Sequence, residues 1–330
     1  MNPTPELLKV PFDEIYLPSM GLFYKKGITN VKVRALTGYD EIMLSSPYLS
    51  QTGNAIKILF NNVVLDDELE YDDLLVCDRD AIMLFIRSMT FGDSVEMDFI
   101  CPECTHEFKG SFNISQIEAK EIRNPPNDFG EFEFVVPSSL VSDNIIQINF
   151  APLRVNNSIY KKDKQLMSKY MAQITSINDV KDKSFILKYL KGMRIKDSQA
   201  LREFMDKVEP GFEETLLNTC PQCDCKIKDV IRIDEEFLSL PDSHRNTVNE
   251  ECFLAYYYGK GITRNQAYEM PTIDRRWTIN RISEEIEKQN KARYTSSINT
   301  NERLTSQCYD EVTDPKNQPS ASKAGGKKFM

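Results

Sequence analysis

Two short runs hold most of the residues able to do chemistry: Cys101-Pro102-Glu103-Cys104-Thr105-His106 and Cys220-Pro221-Gln222-Cys223-Asp224-Cys225. A two-residue spacer turns both thiolates of a tight knuckle toward one cation, and two such knuckles supply the corners of a tetrahedral zinc site. The expected ligands are Cys101, Cys104, Cys220 and Cys223, with His106 and Cys225, at matching positions, as alternates or supporting groups. A closed four-thiolate shell leaves no open position on the metal, so the expected Zn2+ is structural rather than catalytic. The competing reading is two pairs of reduced, metal-free thiols. A redox Cys-x-x-Cys fits less well, because both copies are followed by strand patterns and not by a helix.

The remaining catalytic vocabulary is nearly empty. His106 and His244 are the only histidines, which removes most hydrolytic metal sites, Ser-His-Asp triads and Cys-His pairs. No His-Glu-x-x-His, Gly-x-x-x-x-Gly-Lys-Ser/Thr or Gly-x-Ser-x-Gly occurs, so neither an enzyme nor a small-molecule substrate is expected. The net charge of −9 and pI of about 5.1 argue against nucleic acid as the main partner, since neutralising phosphates needs clustered Lys and Arg. No apolar run approaches the roughly 18–20 residues of a membrane helix. The first residues lack the basic and apolar regions of a secretory signal, so a cytoplasmic protein with reduced thiols is expected. Cys77 and Cys252 sit beside apolar runs and read as small buried hydrophobes, and Cys308 as a thiol in a polar tail.

The knuckles need rigid mounts, and the flanks supply them. Val95, Met97 and Phe99 alternate with polar residues before the first knuckle, and Phe108, Phe112 and Ile114 follow it, giving strand, knuckle, strand. After the second knuckle Ile227, Val230, Ile231 and Ile233 suggest a matching strand, whereas Thr215 to Asn218 before it is less regular. Sliding the chain by 119 residues superposes the knuckles and also matches Asp78 with Asp197, Ala81 with Ala200, Phe85 with Phe204 and Gly92 with Gly211. Apart from the three knuckle residues there are six identities in 34 positions, where average composition gives about two. The helical stripe Ile82, Phe85, Ile86 and Met89 recurs as Leu201, Phe204, Met205 and Val208. The same shift carries Leu17-Pro18-Ser19 onto Val136-Pro137-Ser138, and a four-residue adjustment carries Val31–Arg34 onto Ile146–Asn149.

The expected fold is therefore α+β: two related halves of strands, helices and a zinc-ribbon hairpin, sharing one four-cysteine zinc site, then C-terminal helices and a disordered tail. The expected boundaries are 1–122 and 129–238 for the halves, joined at the proline-rich break Arg123 to Asp128, with helices over 239–294 and the tail over 295–330. In the first half, Thr37-Gly38-Tyr39-Asp40-Glu41 leads into a short helix, and Ile56, Leu59, Phe60 and Val63 mark another. Asp66 to Asp73 forms an acidic run that reads first as a solvated face. Val248 to Tyr258 reads as a helix stopped by Gly259, and Thr263 to Gln266 as a capping box. A longer helix starts near Ile273, with Trp277, Ile282 and Ile286 on the face expected to pack on the protein's own core; partner binding is the lesser reading. The tail, rich in Ser, Thr, Asn, Gln and Lys, cannot bury enough apolar surface to fold alone.

The motifs Leu17-Pro18-Ser19-Met20-Gly21, Val31 to Arg34, Thr37-Gly38-Tyr39-Asp40-Glu41, Ser45-Ser46-Pro47, Asp73-Leu74-Leu75, Asp78-Arg79-Asp80-Ala81, Arg87 and Cys101-Pro102-Glu103-Cys104 occur in that order. Together they resemble the baseplate hub assembly proteins, chaperone or hub subunit, of T-even-type contractile-tailed bacteriophages. Met270-Pro271 leading into Arg275-Arg276-Trp277 is similar to the C-terminal helices of those proteins. The resemblance covers about the first 240 residues and, more loosely, the C-terminal helices. It implies a late viral protein acting in virion and tail assembly, in the host cytoplasm or in the virion tail baseplate, with phage baseplate hub proteins as partners and no catalytic residues. A zinc-ribbon nucleic-acid-binding or transcription adaptor is the alternative that the knuckles alone would support.

Overall fold

The computed structural model describes residues 11–52, 54–141, 144–157, 166–213, 215–230, 233, 235–238 and 240–313. The first repeat opens with a hairpin of β1 (Phe12–Tyr16) and β2 (Asn30–Arg34), followed by three short helices, α1 (Gly38–Leu44), α2 (Pro47–Thr52) and α3 (Ala55–Val63). Ile56, Leu59, Phe60 and Val63 of α3 are buried, as their helical spacing requires. The acidic run is partly folded in: Leu69 and Tyr71 are buried, and Asp66 accepts the Lys32 amide at 2.6 Å. Helix α4 (Val76–Phe91) then leads into the hairpin of β3 (Ser94–Ile100) and β4 (Glu107–Asn113), whose turn is the first knuckle.

The second repeat follows this order with one added strand. β5 (Phe132–Val135), β6 (Gln147–Phe150) and β7 (Ile174–Ile177) form an antiparallel sheet, with α5 (Leu166–Gln173) before β7 and α6 (Lys183–Gly192) after it. Helix α7 (Ile195–Val208) starts 119 residues after α4, and β8 (Thr215–Thr219) pairs with β9 (Lys226–Val230) around the second knuckle. The irregular stretch before Cys220 is thus a strand, completed by its partner across the hairpin.

Strand register corrects one sequence match. Ile15 faces Val31, and Phe134, 119 residues beyond Ile15, faces Ile148. Val31 therefore corresponds to Ile148 and not to Ile146: the connection between strands is two residues shorter in the second repeat, not four. An even slip preserves the buried face, and Val31, Val33, Ile148 and Phe150 are all at most 1% exposed.

The repeats interlock. Phe23 and Leu75 of the first repeat enter the second core, while Val155 and Leu238 enter the first. Main-chain bonds cross between them, from Val76 N to Leu153 O and from Val155 N to Leu74 O, both at 2.9 Å. Lys120 N to Gly211 O, at 2.8 Å, adds a third.

The C-terminal part holds α8 (His244–Tyr258), α9 (Arg264–Glu269) with the expected Thr263/Gln266 capping box, and α10 (Thr272–Thr313). Two expectations are corrected here. The helix runs on to Thr313, so 295–313 is not unstructured, while residues 314–330 lie outside the described residues. Nor does Trp277 face the core: it is 67% exposed, and the deeply buried side of α10 is Thr272 and Arg275, with Ile279 against the α8–α9 cluster. The cause is a buried carboxylate, Glu41 on α1, which Thr272 and Arg275 both reach and which sets the rotation of the helix.

Candidate metal centre

Each knuckle is a tight turn between paired strands. Cys101 N donates to His106 O and Thr105 N to Cys101 O, at 3.0 and 2.9 Å. In the second knuckle Cys220 N donates to Cys225 O and Asp224 N to Cys220 O, at 2.9 and 3.0 Å. Thr105 and Asp224, the residues after the second cysteine of each pair, both take positive φ, 56° and 57°. Asp224 tolerates that conformation, whereas at the β-branched Thr105 it is strained, and in both knuckles it turns the chain so that both thiols face the same way.

The hairpins present these turns to each other. The Sγ atoms of Cys101, Cys104, Cys220 and Cys223 all lie within 4.8 Å of one another. Cys101 and Cys223 are 3.5 Å apart, and Cys104 and Cys220 3.6 Å. Thiolates about 2.3 Å from a tetrahedral zinc ion stand about 3.8 Å from each other, so the donor set fits such an ion. A disulfide needs about 2.05 Å, and all four cysteines are free. Cys101 and Cys220 are fully buried, with Ile227 and Phe108 packed beside them.

The thiols disagree about ionising. The Cys104 amide, with help from Cys223, draws Cys101 down to about 6. Cys223 is pushed up to about 12, because neighbouring thiols and burial outweigh the hydrogen bond from the Cys225 amide. Four such groups cannot all lose protons unless a cation shares their charge, which is what a divalent metal would supply.

The four-thiol group does not include the two alternates, although Cys225 packs against Cys101 and Cys220. The His106 ring lies parallel to Phe108, centroids 6.3 Å apart, and is a packing group. Cys225 turns its thiol to Lys226 O at 3.9 Å, with burial and the nearby Cys101 charge raising its pKa. Cys252 is buried and reaches Ala267 O at 3.5 Å; Cys77 is part-buried against the second core; the Cys308 side chain is outside the described ones.

A second constellation escaped the sequence reading. Glu41, 0% exposed, receives Arg275, Thr272 Oγ1 at 2.6 Å and His244 Nε2 at 2.6 Å. Burial alone would raise its carboxyl, yet Arg275, Thr272 and His244 hold it below the ordinary value. Arg275 also meets Glu251 at 2.8 Å, and its Nη1 lies against Gly38, where an added Cβ would come within 3.0 Å. The only signals were Gly38 and Glu41 at the start of a short helix and adjacent arginines at the start of a long one; nothing in the spacing joins them. This cluster binds the C-terminal helices to the first repeat; its carboxylates are paired with its cations, while Arg275 Nη1 is buried without a partner.

Among the described helices, none is long and apolar enough to cross a membrane. A family model described as T4 bacteriophage base plate protein matches residues 18–238, which takes in both knuckles and both repeats apart from β1. No curated protein and no solved structure matches the chain.

Proposed function

The chain belongs to the T4 bacteriophage base plate protein family, and from that premise we propose that it is a non-enzymatic baseplate hub protein acting in hub assembly. It works among phage hub proteins, in the host cytoplasm or within the tail baseplate. Zinc held by Cys101, Cys104, Cys220 and Cys223 is its structural staple. The observation that carries this reading is the extent of the family match: it covers the interlocked repeats and stops at 238, and the helices beyond it present a largely exposed surface. Four thiolates would close the coordination shell, so the metal would bind the two hairpins together and activate no water.

The adaptor alternative draws on the knuckles alone. Against it stand the net charge of −9 and the mixture of Glu103, Glu107, Lys109, Asp224 and Lys226 around them. Binding of DNA or RNA that weakens steeply with salt would revive it.

The test is quantitative mass spectrometry of infected-cell lysate, tail-assembly intermediates and purified particles. A fixed small copy number in particles makes the protein a hub component, and presence only in intermediates makes it an assembly chaperone. Absence from both overturns the hub reading.

A further inference from the structure

The basic groups between α4 and α10 are unequally satisfied. Arg275 and Arg276 share Glu41 and Glu251. Arg87, one helix away, has no carboxylate or other hydrogen-bond acceptor among the described residues. Its guanidinium lies 5.0 Å from the centre of the Phe91 ring, and its Nε is shielded from water without a partner. Thr90, 4% exposed, likewise keeps a buried Oγ1 unpaired. Arg87, Thr90 and Phe91 share one face of α4 by their spacing. A half-buried cation without an acceptor is costly, because a solvated charge has been traded for a ring contact alone.

The second repeat offers a comparison. The positions 119 residues after Arg87 and Thr90 are Asp206 and Glu209. There Glu209 is met within the chain by Lys169 and Gln173, while Asp206 is exposed to solvent and its main-chain carbonyl accepts from the Lys120 ammonium at 3.2 Å. Glu209 thus finds partners within the chain, whereas Thr90 Oγ1 and the half-buried Arg87 Nε do not.

The open face continues onto α10. Arg276 lies 5.7 Å from the same Phe91 ring and donates to Thr90 O at 3.4 Å. Ile273 and Trp277, on the Arg276 side of the helix by spacing, are 52% and 67% exposed. Arginine beside exposed tryptophan and isoleucine is the composition of a protein-binding hot spot. The chain's net charge of −9 disfavours a polyanion as occupant, while a single carboxylate flanked by apolar side chains fits both parts.

We propose that Arg87, Phe91, Ile273, Arg276 and Trp277 form a docking surface for another baseplate protein, which places an acidic side chain on Arg87. This rests on the assembly role proposed above.

The test uses full-length Arg87→Lys in phage lacking the native protein. Assembly intermediates are treated with a water-soluble carbodiimide, which joins an ammonium to a touching carboxylate as an amide and takes up the water as a urea. The expected product is a peptide linking position 87 to an Asp or Glu of another baseplate protein. Trp277→Ala in the same background should lower its yield, and Arg87→Glu should weaken binding to intermediates about tenfold or more. Unchanged melting and metal content show that each variant folds. Cross-links confined to this chain overturn the proposal, as does Arg87→Glu that assembles like the native protein. Loss of labelling with inorganic phosphate, with no protein carboxylate found, reassigns the position to small anions and also overturns it. Absence of the native protein from every intermediate removes the assembly role itself, a result visible before any cross-linking.

Discussion

The main-chain amide of Ser19 donates to the Asp78 carboxylate at 3.0 Å across 59 residues of chain, and Ser138 does the same to Asp197 at the same distance and separation. In each repeat an aspartate in the first turn of the long helix holds the turn that follows the first strand. The second carboxylate oxygen is satisfied differently: by Tyr24 Oη at 2.6 Å in the first repeat and by Ser138 Oγ at 2.6 Å in the second. Where tyrosine has taken over, Ser19 Oγ is left buried without a partner.

Asp78→Ala strands two buried donors, and each costs about 1–3 kcal/mol. We expect a loss of about 2–4 kcal/mol, read from urea unfolding midpoints, with Asp197→Ala close to it. A loss below measurement error in both would show that these carboxylates do not hold the turns.

Metal binding is expected at one ion per chain by elemental mass spectrometry. Cys104→Ser and Cys223→Ser should each retain less than half the metal and aggregate, since such sites contribute on the order of 10 kcal/mol to folding. His106→Ala, which alters only a ring stacked on Phe108, should keep its metal. Full solubility and unchanged metal in both cysteine variants would reduce the cluster to four thiols.

Arg275→Met leaves Glu41 charged in a site with no exposure, a change that costs about 3–5 kcal/mol. Limited proteolysis should then cut in the connection just ahead of α8 sooner than in the native protein. Adding Glu41→Gln should recover part of the loss, because the stranded charge is gone. No recovery would mean that packing, and not charge, dominates there.

Glu209 is raised to about 7, chiefly by burial and against the pull of Lys169. A carboxyl raised in the folded state favours the protonated fold. Its contribution to stability is therefore intact below the ordinary carboxylate range near 4.5 and declines as pH rises through 7. Glu209→Gln should match the native protein at pH 5 and exceed it at pH 8 by on the order of 2–3 kcal/mol in denaturant midpoints. Equal midpoints at both values would show that Lys169 and Gln173 keep Glu209 ionised without penalty.

The cysteine cluster was legible because metal-ligand spacing is a local signal that the fold only has to bring together. The Leu17-Pro18-Ser19 and Asp78 matches were also visible as separate pieces of one duplication; that they touch each other required coordinates. The Glu41 cluster was not legible, since Glu41, His244 and Arg275 are more than 200 residues apart in part and lie on helices whose rotation they themselves decide. The rotation of α10 failed for that reason: apolar periodicity pointed Trp277 inward, and a buried ion pair overrode it. The segment expected as a tail from 295 instead continues the backbone of α10 to Thr313.

The knuckles also set a timetable. Cys104 leaves the ribosome 119 residues before Cys223, and at about 5–20 residues per second that is a wait of about 6–24 s. During it the first hairpin exists with two thiols and no counterpart, open to oxidation or to the wrong metal. The four-thiol cluster can therefore form only once both repeats have been made, and a chain truncated before Cys223 lacks one of its thiols.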